Sequence, residues 1–366
     1  MNITIFIGGL SGGGAERVVC NLGNFLSARH KVTILTMSND TPAYKLNESV
    51  RRVSLIKNEE SQNYLIKNLK RLIRFRNYIK KSDTDIYLVM LPRTISIMLA
   101  YRKLINVPVI ISERCDPKTR YETSKIRRLI MQKLYPKADG FVFQTEDAMS
   151  YYLEIIGDRG IVIPNAINEE FVRETFRGLR KKKIVSAGRL TSQKNFALLI
   201  EGFAKIANKH PDYKLVIYGD GPQKGKLQRL TKDLGISEKV EFPGYVNDFG
   251  DYIIDASLFV MSSNFEGMPN ALMEAMALGL PCISTDCPSG GPKFLIKNGI
   301  NGFLIPVGDV DKLANIIDLV LSDKKLSQKV GENAYSILEE LSNEKIYQNW
   351  ENYLTHIYNE SKGKIV

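Results

Sequence analysis

Short apolar runs alternate with amphipathic stretches along almost the whole chain, and this alternation constrains the fold more than any other feature. "NITIFIGG" reads as a strand and "AERVVCNLGNFLSAR" as the helix after it. "KVTILTM", "TDIYLVM", "VPVIIS", "ADGFVFQ" and "GIVIPN" read as further strands. The rhythm breaks once, at the polar stretch "PNAINEEFVRETFRGLRKKK" (164–183). It resumes with "KKIVSAG", "YKLVIYG", "ASLFVMS", "LPCIST" and "NGFLIP", separated by helical stretches such as 194–209 and 309–321. Strand–helix alternation predicts parallel sheets with right-handed crossovers. A chain of 366 residues exceeds what one core usually organises. The expectation is therefore an α/β protein with two doubly wound domains, 1–165 and 166–341. A helical tail, 342–366, carries the only tryptophan, Trp350, and is expected to cross back to the first domain. Ligands of such sheets sit outside the carboxyl ends of the strands, so two facing units create a cleft.

The composition, 44% hydrophobic and 25% charged, is that of an ordinary soluble protein. Cys20, Cys115, Cys282 and Cys287 show no CxxC spacing and no nearby histidine cluster, which points to a reducing compartment without structural zinc. The start lacks the basic and long apolar regions of a secretory signal. The nearest approach to a membrane span, "IYLVMLPRTISIMLAY", is broken by Pro92 and Arg93. A cytoplasmic protein is expected.

The net charge of +11 is unevenly placed. Residues 1–165 hold 26 Lys and Arg against 15 Asp and Glu, whereas residues 166–366 hold 25 of each. The excess is concentrated in 64–81, with seven cations and no acid, and in 118–137, with seven cations and one acid. In 64–81, Leu65, Leu69, Leu72, Ile73 and Ile79 recur at near-helical spacing between the cations. Such a helix suits an anionic membrane surface, where each cation contributes about 1 kcal/mol. It equally suits a core-packed helix with a solvated basic face. No nucleic-acid-binding motif accompanies the charge, so nucleic acid is not an expected partner.

Five loops can carry chemistry. "GGLSGGGAER" (8–17) joins a strand to a helix, where Gly12 and Gly13 let backbone approach a phosphate. It misses the dinucleotide fingerprint, because the frame from Gly12 ends on Arg17, and it also reads as a plain turn. "SAGRLTSQKN" (186–195) sets Arg189 and Lys194 at a strand end, able to clamp a diphosphate or simply to be solvated. "YGDGP" (218–222) and "FPGYV" (242–246), with Gly219, Gly244 and Tyr245, either hold a planar base or are tight turns alone.

"SSNFEGMPNALMEAMALGLPC" (262–282) is the most informative loop. Pro269 suits a first helical position, so the amides after it form a phosphate seat. Glu266 precedes that helix tip and Glu274 lies just over a turn beyond it. Vicinal hydroxyls of a ribose or a sugar are natural donors to both. The plainer reading is a first-turn acid and an exposed acid, although the apolar neighbours of Glu274 predict its burial, and a buried carboxylate needs a partner. "DTD" (83–85) looks like a metal motif but better reads as the polar start of a strand. His30, His210 and His356 all fall away from strand carboxyl ends, so no metal or histidine chemistry is expected.

Together these motifs, with "GGAER", "VIPNAIN" and the E-x7-E spacing, resemble family 4 retaining glycosyltransferases of the GT-B fold along nearly the whole chain. The stretch "FEGMPNALMEAMALGLPCISTDCPSGGP" is similar to transferases that build bacterial surface polysaccharides and lipid-linked oligosaccharides with N-acetylhexosamine or galactose. The resemblance implies a basic acceptor-binding first domain and a nucleotide-sugar-binding second domain, with UDP-sugar as donor and no cofactor. It implies that Glu266 holds the donor sugar with the amides of Gly267 and Met268, while Glu274 holds the ribose. Arg189 and Lys194 then neutralise the diphosphate, the amides of Ala271 and Leu272 add phosphate contacts, and Gly12 and Gly13 close on the phosphates.

Where many relatives carry an active-site histidine, this chain has "SERCDP", which puts Glu113 and Arg114 on the acceptor side. A lipid-linked acceptor would bring the protein to the inner face of the cell membrane through 64–81 and 118–137. Competing readings are a nucleotide-sugar epimerase or phosphorylase on a similar fold, and a non-catalytic membrane- or polyanion-binding scaffold.

Overall fold

The computed structural model describes residues 1–56 and 64–363, with the side chains of Tyr64 and Leu65 outside that description. Leu65, named above in the apolar stripe of 64–81, therefore has no side-chain account. The described residues form two compact units, Met1–Asn165 with Glu344–Val366 and Ala166–Asn343.

The first unit holds a seven-stranded parallel sheet. Its strands are β1 (Asn2–Ile7), β2 (Lys31–Thr36), β3 (Arg51–Ser54), β4 (Ile86–Met90), β5 (Val109–Ser112), β6 (Gly140–Phe143) and β7 (Gly160–Val162). They lie in the order β3-β2-β1-β4-β5-β6-β7. Every residue of β4 is buried, as expected for a central parallel strand covered on both faces. Helix Tyr64–Lys81 packs Phe75 and Ile79 inward, and Phe75 stacks on Phe6 of β1 at 4.9 Å. Burying one such side chain contributes about 1.5–3 kcal/mol. Ile66, Leu69 and Ile73 of that helix point outward, so the apolar stripe expected there divides between two faces. The basic stretch 118–137, by contrast, is not one helix. A π-turn (Lys118–Glu122), an α-helix (Lys125–Leu134) capped by Ser124, and a 3-10 turn (Tyr135–Lys137) succeed one another.

Helix Asn343–Gly363 belongs to the first unit. Trp350 is fully buried, with the Arg114 guanidinium 5.4 Å from its ring. The Tyr353 hydroxyl accepts from the amide of Phe141 and donates to the carbonyl of Arg159, both at 3.0 Å. Glu351 pairs with His30 at 2.9 Å and with Arg29 at 2.6 Å. Asp83 and Asp85 both accept hydrogen bonds from Asn2 at the head of β1, a structural use of the "DTD" carboxylates.

The second unit repeats the plan with six strands: β8 (Lys181–Ala187), β9 (Lys214–Tyr218), β10 (Val240–Gly244), β11 (Ala256–Met261), β12 (Cys282–Thr285) and β13 (Phe303–Ile305). Their order is β10-β9-β8-β11-β12-β13, all parallel. Its core joins Ile184 and Leu258 of the sheet to Leu199 and Phe203 of helix Phe196–Ile206. Arg180 fastens the sheet's amino side by donating to the carbonyls of Ala256 at 2.9 Å and Gly279 at 2.8 Å. In this order β8 and β11 are neighbours from which the connections run in opposite directions. That switch point opens a crevice at the carboxyl ends of the two strands.

Candidate active site

The two loops at this switch point are 187–195, after β8, and 262–269, after β11. They are zipped together by polar side chains. Asn264 donates through its amide to the carbonyl of Gln193 at 2.7 Å and through Nδ2 to that of Ser192 at 2.8 Å. Gln193 Nε2 donates to the carbonyl of Phe265 at 3.1 Å, and Ser262 Oγ to that of Lys194 at 3.0 Å. Asn195, left-handed at φ 42°, caps helix Phe196–Ile206 and donates to Asn264 Oδ1 at 3.0 Å.

This zipper sets Lys194 Nζ 2.5 Å from Glu266 Oε1. The same carboxylate oxygen accepts from Ser263 Oγ at 2.7 Å, and Ser263 is fully buried. Ser263 is itself fixed by Thr285 Oγ1, which donates to its carbonyl at 2.6 Å. Lys194 and Glu266 retain 19% and 9% side-chain exposure, so their attraction is far less screened than a surface pair's. The buried thiol of Cys287 is pushed up to about 12, first by burial and then by the charge of Glu266. Arg189 stands on the same loop as Lys194 and is exposed.

Glu274 is buried within helix Asn270–Ala277, as its apolar neighbours foretold. The helix begins one residue later than expected. Pro269 is extended (φ −82°, ψ 99°) and occupies the cap position rather than the first turn. Its carbonyl accepts from the amide of Leu272 at 3.1 Å. The Leu272 amide thus has an internal partner at the cap, one residue after Ala271. Gly267 is pressed against Gly291, where an added Cβ would stand 1.8 Å from the Gly267 carbonyl oxygen. Met268 is buried beside them.

Three glycines line up at the neighbouring strand ends. Gly219 donates to the carbonyl of Gly244 at 2.8 Å and has φ +124°. A Cβ on Gly219 would lie 2.1 Å from the carbonyl oxygen of Gly188. Lys194 lies over Gly188, its Cε 2.9 Å from where a Cβ would be. Tyr245, just past Gly244, is 81% exposed and free to form one wall of a planar-base site.

The remaining expected residues lie in the first unit. Gly12 and Gly13 precede helix Gly14–Leu26 with φ 122° and 147°. The Glu16 carboxylate sits over Gly13, 2.5 Å from where a Cβ would be, and burial raises its pKa. Glu113, directly after β5, is a buried group. It is 4% exposed and accepts from the hydroxyls of Tyr121, at 3.2 Å, and Tyr135. Desolvation raises its pKa despite those hydrogen bonds. Arg114 donates to Asn165 Oδ1 at 2.7 Å besides stacking on Trp350. Both acceptor-side expectations therefore meet side chains engaged with their own unit. Among the described residues, no group of three or more His, Cys, Asp or Glu is placed to hold a metal ion.

Ser263 and Gln193 are the site residues that sequence patterns missed. The available signal was a polar pair, Ser262–Ser263, ending an apolar strand three residues ahead of a glutamate.

Two family models match the chain. The model for Glycosyltransferase Family 4 matches residues 12–171, and that for Glycosyl transferases group 1 matches residues 168–337. One relative from Campylobacter jejuni is N-acetylgalactosamine-N,N'-diacetylbacillosaminyl-diphospho-undecaprenol 4-alpha-N-acetylgalactosaminyltransferase. It is 30% identical over 88% of this chain and 90% of its own length. The UDP-Gal:alpha-D-GlcNAc-diphosphoundecaprenol alpha-1,3-galactosyltransferase of Escherichia coli is 29% identical over 72% of this chain and 73% of its own. Among solved structures, Anabaena HepE in complex with UDP and glucose aligns with a TM-score of 0.82 at 17% identity, covering 97% of this chain and 100% of that one. The sucrose-phosphate synthase of Thermosynechococcus elongatus aligns with a TM-score of 0.85 at 18% identity, covering 98% and 99%. Those structures share the GT-B fold of two Rossmann-like domains, and the chain belongs to the family 4 glycosyltransferases.

Proposed function

We propose that this glycosyltransferase moves a hexose or N-acetylhexosamine from a UDP-linked donor to a lipid-linked or surface-polysaccharide acceptor, with retention of anomeric configuration. The observation that carries the proposal is the convergence of Lys194 and Glu266 at the switch point of the second sheet. Lys194 and Arg189 take the diphosphate, each charge-assisted hydrogen bond contributing about 1.5–3 kcal/mol. The tip of helix Asn270–Ala277 adds its dipole through the Ala271 amide. These groups supply the positive charge that the leaving group requires, so no metal is invoked. Glu266, oriented by Ser263, accepts from donor-sugar hydroxyls beside Gly267 and Met268, and Glu274 accepts from the ribose. Gly219, Gly244 and Tyr245 frame the base.

In the reaction the bond from the anomeric carbon to the β-phosphate oxygen breaks and UDP leaves with the electron pair. The acceptor hydroxyl attacks from the same face, and its proton passes to the departing phosphate oxygen. Lys194 and Arg189 stabilise charge that grows as this bond breaks, which makes them selective for the transition state. Gly12 and Gly13 are assigned to phosphate, with the Glu16 carboxylate over Gly13 a like charge that opposes an anion there.

The acceptor class rests on the relatives, whose names specify diphospho-undecaprenol-linked sugars. A matching surface supports it. Helix Lys125–Leu134 exposes Ile126, Leu129 and Ile130 between Lys125, Arg127, Arg128 and Lys133. Such a face suits peripheral attachment to an anionic membrane, and no helix of the described residues is long and apolar enough to cross one. The decisive assay follows UDP release from a panel of UDP- and GDP-sugars with and without a diphospho-polyprenyl-linked acceptor. Acceptor-stimulated release from one UDP-sugar, with an α-linked product from an α-linked donor, is expected. Release that ignores acceptor and forms no glycoside would refute the proposal.

A further inference from the structure

A cavity lies in the first unit at the amino end of β1, the end opposite the glycine loop. It has a volume of about 690 Å³, within the ~300–1,000 Å³ range of small-molecule sites. It is bounded by the amino ends of β1 and β2, by β3, and by the last turns of helix Tyr64–Lys81. Among the described residues, Lys31, Arg51, Arg74 and Lys81 line it with one acid, Asp83, which already accepts from Asn2. Arg74 is held in place by donating to the carbonyl of Leu55 at 3.2 Å, while Lys31, Arg51 and Lys81 are exposed. The same cavity is lined by a cluster of hydroxyls. Thr4 Oγ1 is 3.1 Å from Tyr78 Oη and 2.7 Å from Thr84 Oγ1, all three residues lining the cavity.

We infer that this cavity binds a phosphate-bearing anion, at a site separate from the donor site. Each component suits such a ligand. Guanidinium and ammonium groups make charge-assisted hydrogen bonds to phosphate oxygens, and hydroxyls donate to the same oxygens. Four cations around one space raise the local concentration of an anion, an effect that salt screens at the three exposed side chains. Parallel sheets use their carboxyl ends for substrates, so a ligand at the amino ends lies outside this sheet's own substrate crevice.

Inorganic pyrophosphate is the probe, titrated by calorimetry into the full chain carrying Arg189→Ala and Lys194→Ala, which weakens its binding at the donor crevice. Saturable binding is expected, and adding Arg51→Glu with Lys81→Glu should weaken it about tenfold or more. The same isotherm with and without the two reversals would overturn the inference, as would no saturable binding at all. Both substituted side chains are exposed, and Lys31→Gln with Lys81→Gln provides a milder second pair whose thermal melt confirms folding. A parallel arm measures sedimentation with phosphatidylglycerol vesicles. If pyrophosphate displaces the vesicles and the reversals abolish their binding, the phosphate is a lipid headgroup's. If vesicle binding ignores both while pyrophosphate still binds, the ligand is a soluble phosphate.

Discussion

At the scale of single residues, Glu266 and Lys194 divide the work of the site, and their pairing makes the division measurable. Glu266→Ala removes the sugar's acceptor while releasing the Lys194 ammonium to the diphosphate. Transfer should be lost while the calorimetric affinity for UDP stays nearly unchanged. Lys194→Ala should depress both, and equal loss of UDP affinity in the two variants would contradict these roles. Ser263→Ala removes one hydrogen bond to the carboxylate, at 2.7 Å, and should lower kcat about tenfold with UDP affinity preserved. Glu113 supplies a different kind of test. Burial raises its folded pKa above the ordinary 4.5, so between those two values the folded state keeps a proton that the unfolded state has lost. Its contribution to stability therefore falls as pH rises from about 4.5 through the folded pKa. Urea midpoints across that window should fall for the wild type relative to Glu113→Gln, and the opposite trend would contradict the assignment. These residues also mark what sequence could and could not reveal. Glu266, Glu274, Arg189 and Lys194 stand beside recognisable turns and helix starts, so their candidacy was legible. The role of Ser263 was not, because it depends on a side-chain rotamer next to Lys194, which is distant in sequence. Nor was the interior placement of Glu113, because its tyrosine partners arrive from the segment 121–135.

At the scale of elements, the tight stacking of strand ends matters as much as any side chain. Gly219 passes so close to Gly188 that a methyl group cannot be accommodated, and its φ of +124° disfavours any other residue. Gly219→Ala should destabilise the second unit by roughly 1–3 kcal/mol and shift the neighbouring base-binding turn. UDP affinity and the thermal midpoint should fall together, and an unchanged midpoint would mean the turn relaxes freely. The basic helices make the opposite point, that a pattern can be legible while its orientation is not. Periodicity located the helix at 64–81, yet charge and spacing could not show that Phe75 and Ile79 face inward while Leu69 and Ile73 face out. In 118–137 the outward apolar face is confined to the central helix. Ile126→Glu with Leu129→Glu should therefore abolish sedimentation with anionic vesicles while UDP release from the donor alone persists. Retained vesicle binding would move the membrane contact elsewhere.

At the scale of the whole molecule, two parallel sheets were readable from alternating apolar runs, because central parallel strands are buried on both faces and their hydrophobic runs are nearly continuous. The strand order was not readable. Both sheets begin in the middle, with β1 and β8, and the chain works outward to one edge before returning to the other. Only that order creates a switch point beside β8 and β11, and it converts two loops far apart in sequence into one site. The return of helix Asn343–Gly363 to the first unit is a further long-range fact with a direct test. Trp350, the only tryptophan, is fully buried there, so its fluorescence reports the unfolding of the first unit. Two hydrogen bonds hold it: Tyr353 links the helix to β6 through the Phe141 amide and to the residue just before β7 through the Arg159 carbonyl. Tyr353→Phe keeps the ring and removes both bonds, leaving buried polar groups without their partner. The fluorescence transition in urea should move to lower concentration, by the equivalent of about 1–3 kcal/mol. If the midpoint stays where it was, the hydroxyl is incidental and the apolar face of the helix alone secures it. If it falls as expected, the last twenty or so residues are an integral part of the first unit's core, in keeping with the helix length of 21 residues.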